Sequence, residues 1–343
     1  MTRGPNDGTG GSGEKVGLVL SGGGAKGAFE AGVIAAFADE GVDVDVVAGS
    51  SAGALNAAAV ASEVDPDQLV GMWSELESRD VYRLRKDVHR LVRPLHLLSH
   101  PGRLLGLGHH TTSEHLADSI GWTWVLETGP LRDLLIDFLG GDRLQIPDHH
   151  TLVVSCVDAG TGDPVRFSNH APPGHRPATR YIAGPMTVDH LLASAAIPGL
   201  FEPIRIDGEL YWDGGLVANT PLKALLPYEP DVVYVVSSGA IDRDHHDPRS
   251  LGEVIALVAD HLLRYSLIQD VDHARTINQL VRADPEATFH RDVEIVVISP
   301  PEPRSGIGNF LDFEPSLARE LIDDGYEVGR ETLRQRSRTT DRT

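Results

Sequence analysis

The chain of 343 residues is 41% hydrophobic and 23% charged, with a formal net charge of −20. That is the make-up of a globular protein long enough to bury a sizeable core, and it excludes whole-chain disorder or a fibre. The acidic balance opposes diffuse binding to phosphate backbones, so no nucleic-acid partner is expected, and the single cysteine, Cys156, excludes an internal disulfide or a cysteine-based zinc cluster.

Residues 1–14 are rich in glycine and polar side chains and read as a flexible tail. The following apolar run, Val16 to Leu20, is far shorter than a signal-peptide core. The longest uncharged stretch, Val46 to Ser62, consists mostly of Ala, Gly and Ser, too weakly hydrophobic for a membrane span. The expectation is a cytoplasmic protein with no Sec signal and no transmembrane helix, folded as one domain over residues 15–334.

Val16 to Leu20 predicts a buried strand, ended by Ser21-Gly22-Gly23-Gly24 before a helical pattern through Phe29, Val33, Ile34 and Phe37. A second strand, Val44 to Ala48, runs into Gly49-Ser50-Ser51-Ala52-Gly53 and an alanine-rich helix to about Ser62. Strand, tight turn and helix thus repeat, which predicts a parallel α/β sheet. No strong strand follows between residues 65 and 147, read as a helical insertion or lid over one end of the sheet. Within it, Arg79 to Arg103 carries seven Lys or Arg against two Asp, interleaved with leucines, and so either contacts an anionic membrane surface or packs as a lid on the acidic body.

The sheet resumes at Leu152 to Val157 and turns through Asp158 to Asp163 into Val165 to Phe167. A helix over Asp189 to Ala196 stops at Pro198, and Ile204 to Ile206 pairs with Leu210 to Trp212 across a turn at Asp207-Gly208. Val232 to Val236 is a further buried strand. Leu251 to Leu280 follows as a long amphipathic helix, Val293 to Ile298 as a last strand and Ser316 to about Thr332 as a closing helix, with 335–343 a polar tail.

Three motifs carry chemistry. Gly49-Ser50-Ser51-Ala52-Gly53 fits the G-x-S-x-G nucleophile elbow, whose spacing selects Ser51 over Ser50. Gly22, Gly24 and Gly27 satisfy G-x-G-x-x-G after a strand, with Asp45 roughly where a ribose-binding acid would stand. That loop therefore reads either as a dinucleotide site or as an oxyanion hole of bare backbone N–H groups. Trp212-Asp213-Gly214-Gly215 closes the second hairpin. By itself Asp213 is a turn residue.

Taken together and in this order, Gly-Gly-Gly-Ala-Lys-Gly, Gly-Ser-Ser-Ala-Gly and Asp-Gly-Gly resemble the blocks of the patatin-like phospholipases, with Ala193 to Pro198 as a further block. The resemblance implies a three-layer α/β/α sandwich with a mostly parallel central sheet and a serine lipid acyl hydrolase that needs neither metal nor cofactor. It puts Ser51 on the nucleophile, Asp213 on the dyad aspartate and Gly22, Gly23 and Gly24 on the oxyanion loop. Gly27, Gly49, Gly53, Gly214 and Gly215 support the motifs. Lys26 stands where many relatives carry Arg, replacing a planar fork by a point charge.

The implied substrate is a lipid or phospholipid. A dinucleotide-dependent oxidoreductase or a catalytically silent lipid-binding protein are the alternatives. Among the sixteen histidines the pairs His109-His110, His149-His150 and His245-His246 match no ligand spacing and are expected in surface loops. A histidine-containing triad is disfavoured because Ser51 follows only the second strand. Ser194 is expected to be an ordinary helix residue.

Overall fold

The structure is a computed structural model, described for residues 13–86, 123–174, 180–241, 247, 251–284, 291–301 and 310–340. In chain order the strands are β1 (Val16–Leu20), β2 (Val46–Gly49), β3 (Arg83–Leu84), β4 (Leu126–Glu127), β5 (Thr151–Asp158), β6 (Pro164–Ser168), β7 (Arg180–Ala183), β8 (Ile204–Ile206), β9 (Glu209–Asp213), β10 (Val232–Val236) and β11 (Glu294–Ile298). The helices are α1 (Gly27–Asp39), α2 (Ala52–Ala61), α3 (Pro66–Glu75), α4 (Ser78–Val81), α5 (Gly129–Phe138), α6 (Val188–Ser194), α7 (Gly215–Ala218), α8 (Leu222–Leu225), α9 (Leu251–Ala283) and α10 (Pro315–Thr340).

Among the described residues nine strands form one sheet in the order β11-β10-β1-β2-β5-β6-β7, with β9 paired to β5 and β8 to β9. From β11 to β5 every neighbour is parallel, while β6 and β9 run antiparallel to β5. The central strands β1, β2 and β10 are buried along their whole length, as their unbroken runs of Val, Leu and Ala require of a sheet covered on both faces. One core gathers Phe29, Phe37, Leu69, Trp73 and Leu321 from α1, α3 and α10. The other gathers Leu222 and Leu225 of α8 with Leu267, Val271 and Ala274 of α9. The result is helix, sheet and helix in three layers, with the mostly parallel sheet that the sequence predicts.

The differences from the sequence reading are local. β7, Arg-Tyr-Ile-Ala, is an edge strand too short and too exposed to leave an alternating pattern. The closing helix runs on to Thr340, so residues 335–340, expected as a polar tail, are helical; exposed polar side chains are compatible with a helix whose other face is docked. Within 65–147, β3 and β4 pair over two residues each. Most of the Arg79–Arg103 segment lies outside the described residues, as do His109-His110 and His245-His246. Of its described members, Arg79 meets Glu77 at 3.1 Å, Arg83 meets Glu127 at 2.8 Å and the Arg85 guanidinium stacks 4.6 Å from the Trp124 ring centroid. Among the described residues no helix is long and apolar enough to cross a membrane.

A buried acid ties the helical layer to the site. Glu30 of α1 is fully buried and accepts from Asn56 Nδ2 at 2.9 Å. Asn56 in turn accepts from Trp73 Nε1 at 2.7 Å, which joins α1, α2 and α3. Burial pushes the Glu30 carboxyl from 4.5 up to about 8. Between those values the folded chain holds a proton that the unfolded chain has released. This contribution to stability is therefore complete below about 4.5 and lost as pH rises through about 8. Calorimetric Tm values taken from pH 5 to 8 are expected to fall for the parent relative to Glu30→Gln. Parallel Tm curves would show that Glu30 is ionised in the fold.

Candidate active site

Parallel pairing aligns the ends of β1 and β2, with Leu20 opposite Gly49, so the glycine loop and the elbow leave the sheet side by side at its carboxyl edge. That edge is where open α/β sheets bind ligands. Ser51 is held at φ 53°, ψ −126°, the strained strand-to-helix turn of a nucleophile elbow. The turn is tight because helix α2 passes close to β1: a Cβ on Gly53 would strike the Leu20 carbonyl oxygen. Gly49 ends β2, and Gly27 opens α1.

The carboxylate arrives from the opposite direction. β5 carries β2 and β9 along the same edge, pairing Val154 with Gly49 and Cys156 with Asp213. Where β2 turns away at the elbow, antiparallel β9 therefore ends, and its last residue is Asp213. Ser51 is 8% exposed and Asp213 5%. Burial raises the Asp213 carboxyl from 3.8 to about 6, partly offset by hydrogen bonds from the Gly215 N–H, 2.7 Å from Oδ1, and from Ser51. Gly214 and Gly215 turn β9 into α7.

The glycine loop covers the serine: a methyl group built on Gly22 would lie 3.0 Å from Ser51 Cβ. Its amides divide. The Gly22 N–H donates to the Asn219 carbonyl at 3.0 Å and the Ala25 N–H to that of Phe310 at 3.0 Å. The N–H groups of Gly23 and Gly24 have no partner among the described residues. Gly24 has φ 55°, and a Cβ there would strike the Phe310 carbonyl oxygen. The Lys26 ammonium lies 5.1 Å from the Phe310 ring centroid, bracing the loop through the residue that already holds Ala25.

Three positioning residues were not legible in the sequence. The Gly22 carbonyl accepts from Asn219 Nδ2 at 3.0 Å and from Ser238 Oγ at 2.8 Å. Ser194, expected as an ordinary helix residue, is buried; its Oγ accepts from the Ser51 N–H at 3.0 Å and donates to the Ser155 carbonyl at 2.6 Å. These contacts span 39 to 216 residues of chain, and no local pattern announces them. Only the Ala193 to Pro198 block pointed towards one of them.

An apolar cavity of about 50 Å³ opens beside Ser51, lined by Leu55, Met72, Trp73, Leu135, Phe201 and Phe313. Asp45 lies at the other end of the sheet, where its carboxylate accepts from the Val16 N–H at 2.7 Å. It cannot reach a nucleotide on the glycine loop, which removes the acid on which the dinucleotide reading depends. No hydrogen bond recorded for Ser51 or Asp213 among the described residues involves a histidine. His190 is occupied at α6, where its Nδ1 accepts from the Thr187 N–H at 3.0 Å.

An α/β sandwich presenting a serine elbow, a buried aspartate and a glycine loop at one sheet edge defines the class. The family model for patatin-like phospholipases matches residues 18–226, and the chain belongs to that family. The lysophospholipase nte1 of Aspergillus terreus is 24% identical over 332 residues, covering 94% of this chain and 18% of that protein. An uncharacterised NTE family protein of Mycobacterium bovis is 27% identical over 229 residues, 66% of this chain and 50% of its own. The chain thus spans less than a fifth of the fungal relatives and half of the mycobacterial one. The structure of VipD from Legionella pneumophila aligns with a TM-score of 0.46 at 17% identity, covering 94% of this chain and 67% of that one.

Proposed function

We propose that the protein hydrolyses carboxylic esters of lipids through Ser51 and Asp213. The observation that carries this reading is that β5 brings the elbow serine Ser51 and the buried carboxylate of Asp213 to one sheet edge, where Ser51 lines an apolar cavity. Asp213 takes the proton from Ser51 Oγ as the oxygen attacks the ester carbonyl. An unperturbed carboxylate is a weak base for this step, and burial raises its basicity. The N–H groups of Gly23 and Gly24 and the N-terminus of α2 face the developing oxyanion, while Gly22 holds the loop in shape. Asp213 returns the proton to the departing alcohol, leaving an acyl-Ser51 ester. It then accepts a proton from the water that attacks that ester and passes it to Ser51 Oγ as the acyl bond breaks, which frees the fatty acid and restores the serine hydroxyl and the carboxylate.

The apolar lining beside Ser51 suits the first carbons of an acyl chain, and the likeness to fungal lysophospholipases makes a lysophospholipid the substrate of first choice. The basic Arg79–Arg103 segment is assigned to approach of anionic lipid, since a net-acidic body is repelled by such a surface.

One experiment tests these assignments: mass spectrometry of products from mixed lysophospholipid vesicles, beside a short soluble ester. Free fatty acid and the matching glycerophospho-alcohol are expected in equal amounts. Replacing Arg83, Arg85, Lys86 and Arg90 by Gln should slow only the hydrolysis of anionic vesicles, and less so as salt rises. Absence of fatty acid from every lipid and ester offered would overturn the proposal. An equal loss on the soluble ester would make the segment a structural lid.

A further inference from the structure

Of the histidine pair at 149–150, His149 lies in an exposed turn as the sequence suggests, but His150 is buried. His150, its side chain 10% exposed, stands just before β5 and is joined there by His149 and by Glu63, which follows α2. His149 Nε2 lies 3.2 Å and His150 Nε2 3.4 Å from the same oxygen, Glu63 Oε1. The three donor atoms fall within 4.8 Å of one another. We propose that Glu63, His149 and His150 bind a divalent transition-metal ion of the zinc class.

The chemistry of the cluster carries the proposal. His150 Nδ1 is 2.9 Å from the Val44 carbonyl, which can only accept, so Nδ1 bears the hydrogen. In the neutral ring Nε2 is then a lone pair, and it faces a carboxylate oxygen. Two acceptors at this separation need a positive centre between them. A histidine whose other ring nitrogen donates to a backbone carbonyl is also the usual arrangement of a metal ligand, with tautomer and ring orientation already set.

Distances agree. Tetrahedral ligands at ~2.1 Å from zinc are ~3.4 Å apart, close to the two His–Glu separations, and water can supply the fourth ligand. His149 is exposed, with its ring 4.2 Å from that of His150, and a rotation of its side chain would close the third edge. The ligands come from positions 86 residues apart, which is why spacing in the sequence gives no sign of them.

The site lies at the amino ends of β2 and β5, opposite the edge that carries Ser51. A bound ion would link the end of α2 to the start of β5, closing a long loop of chain, and so act on stability without touching the ester chemistry.

Titration calorimetry of the full chain with Zn²⁺ tests this, using Glu63→Gln and His149→Ala, both at exposed positions. The parent is expected to bind one ion with micromolar affinity and to gain Tm as Zn²⁺ is raised. Each variant should weaken binding on the order of tenfold or more and lose the Tm gain, with soluble-ester turnover unchanged. Equal Zn²⁺ binding by parent and variants would place the ion on other histidines. Failure to bind below millimolar Zn²⁺ would leave His150 and Glu63 sharing a proton only. Either result overturns the proposal, and neither bears on Ser51.

Discussion

Ser51→Ala is expected to abolish ester hydrolysis, a loss of ~10⁴-fold or more in kcat/KM, while the far-ultraviolet spectrum and Tm stay near those of the parent. The expectation rests on which serine can act. Ser50 is fully buried. Ser194 Oγ is committed to the Ser155 carbonyl and the Ser51 amide. Ser51 alone combines the strained elbow conformation with a place at the sheet edge where β9 delivers the buried Asp213 carboxyl and an opening onto the apolar cavity. Alanine removes only the hydroxyl and inherits the same φ of 53°, so the variant neither gains nor relieves backbone strain. Turnover that survives the substitution would move the nucleophile elsewhere.

Asp213→Asn is expected to lower kcat by ~10³-fold or more, because the carboxamide cannot take the serine proton. His190→Gln should leave turnover nearly intact, since His190 serves α6 and makes no contact with the pair. The parent should also show an acid limb in its pH–rate profile. The Asp213 carboxyl titrates near 6, the protonated form cannot act as base, and the rate should therefore fall as pH drops through that value. Above it the carboxylate is ionised and the rate should level off. The limb should disappear from the residual activity of Asp213→Asn. A histidine variant that costs as much as Asp213→Asn would restore a triad, and a parent profile flat between pH 5 and 7 would place the base elsewhere.

What the sequence shows and what it hides follow from how far each contact reaches along the chain. β1, the glycine loop, the elbow and α2 are legible because close backbone approach leaves its mark locally: Gly53 is required where α2 crosses the Leu20 carbonyl, and Gly24 where φ is positive. The Asp213 turn is legible as a turn, and its pairing with Ser51 only through the family resemblance, not from any local pattern. Its place beside Ser51 is set by β5, whose one edge carries β2 and then β9. Asn219, Ser194 and Ser238 show nothing local, because each is a single polar side chain reaching a loop from a distant element. Gly22 illustrates the limit of motif reading. It fits the pattern of an oxyanion loop, yet its N–H is spent on Asn219, and the donors without a partner among the described residues are those of the next two residues. The histidine pair at 149–150 reads as surface loop because Glu63 and Val44, which give it meaning, lie far upstream.

The account stands most directly on which atom becomes acylated. Reaction of the parent with a fluorophosphonate serine reagent, followed by digestion and peptide mass spectrometry, should give a single adduct on the peptide containing Ser51. Labelling should slow below pH 6 and be nearly absent in Asp213→Asn. An adduct on Ser50, Ser194 or any other residue, or continued ester turnover by protein that carries no adduct on Ser51 after full reaction, would contradict it.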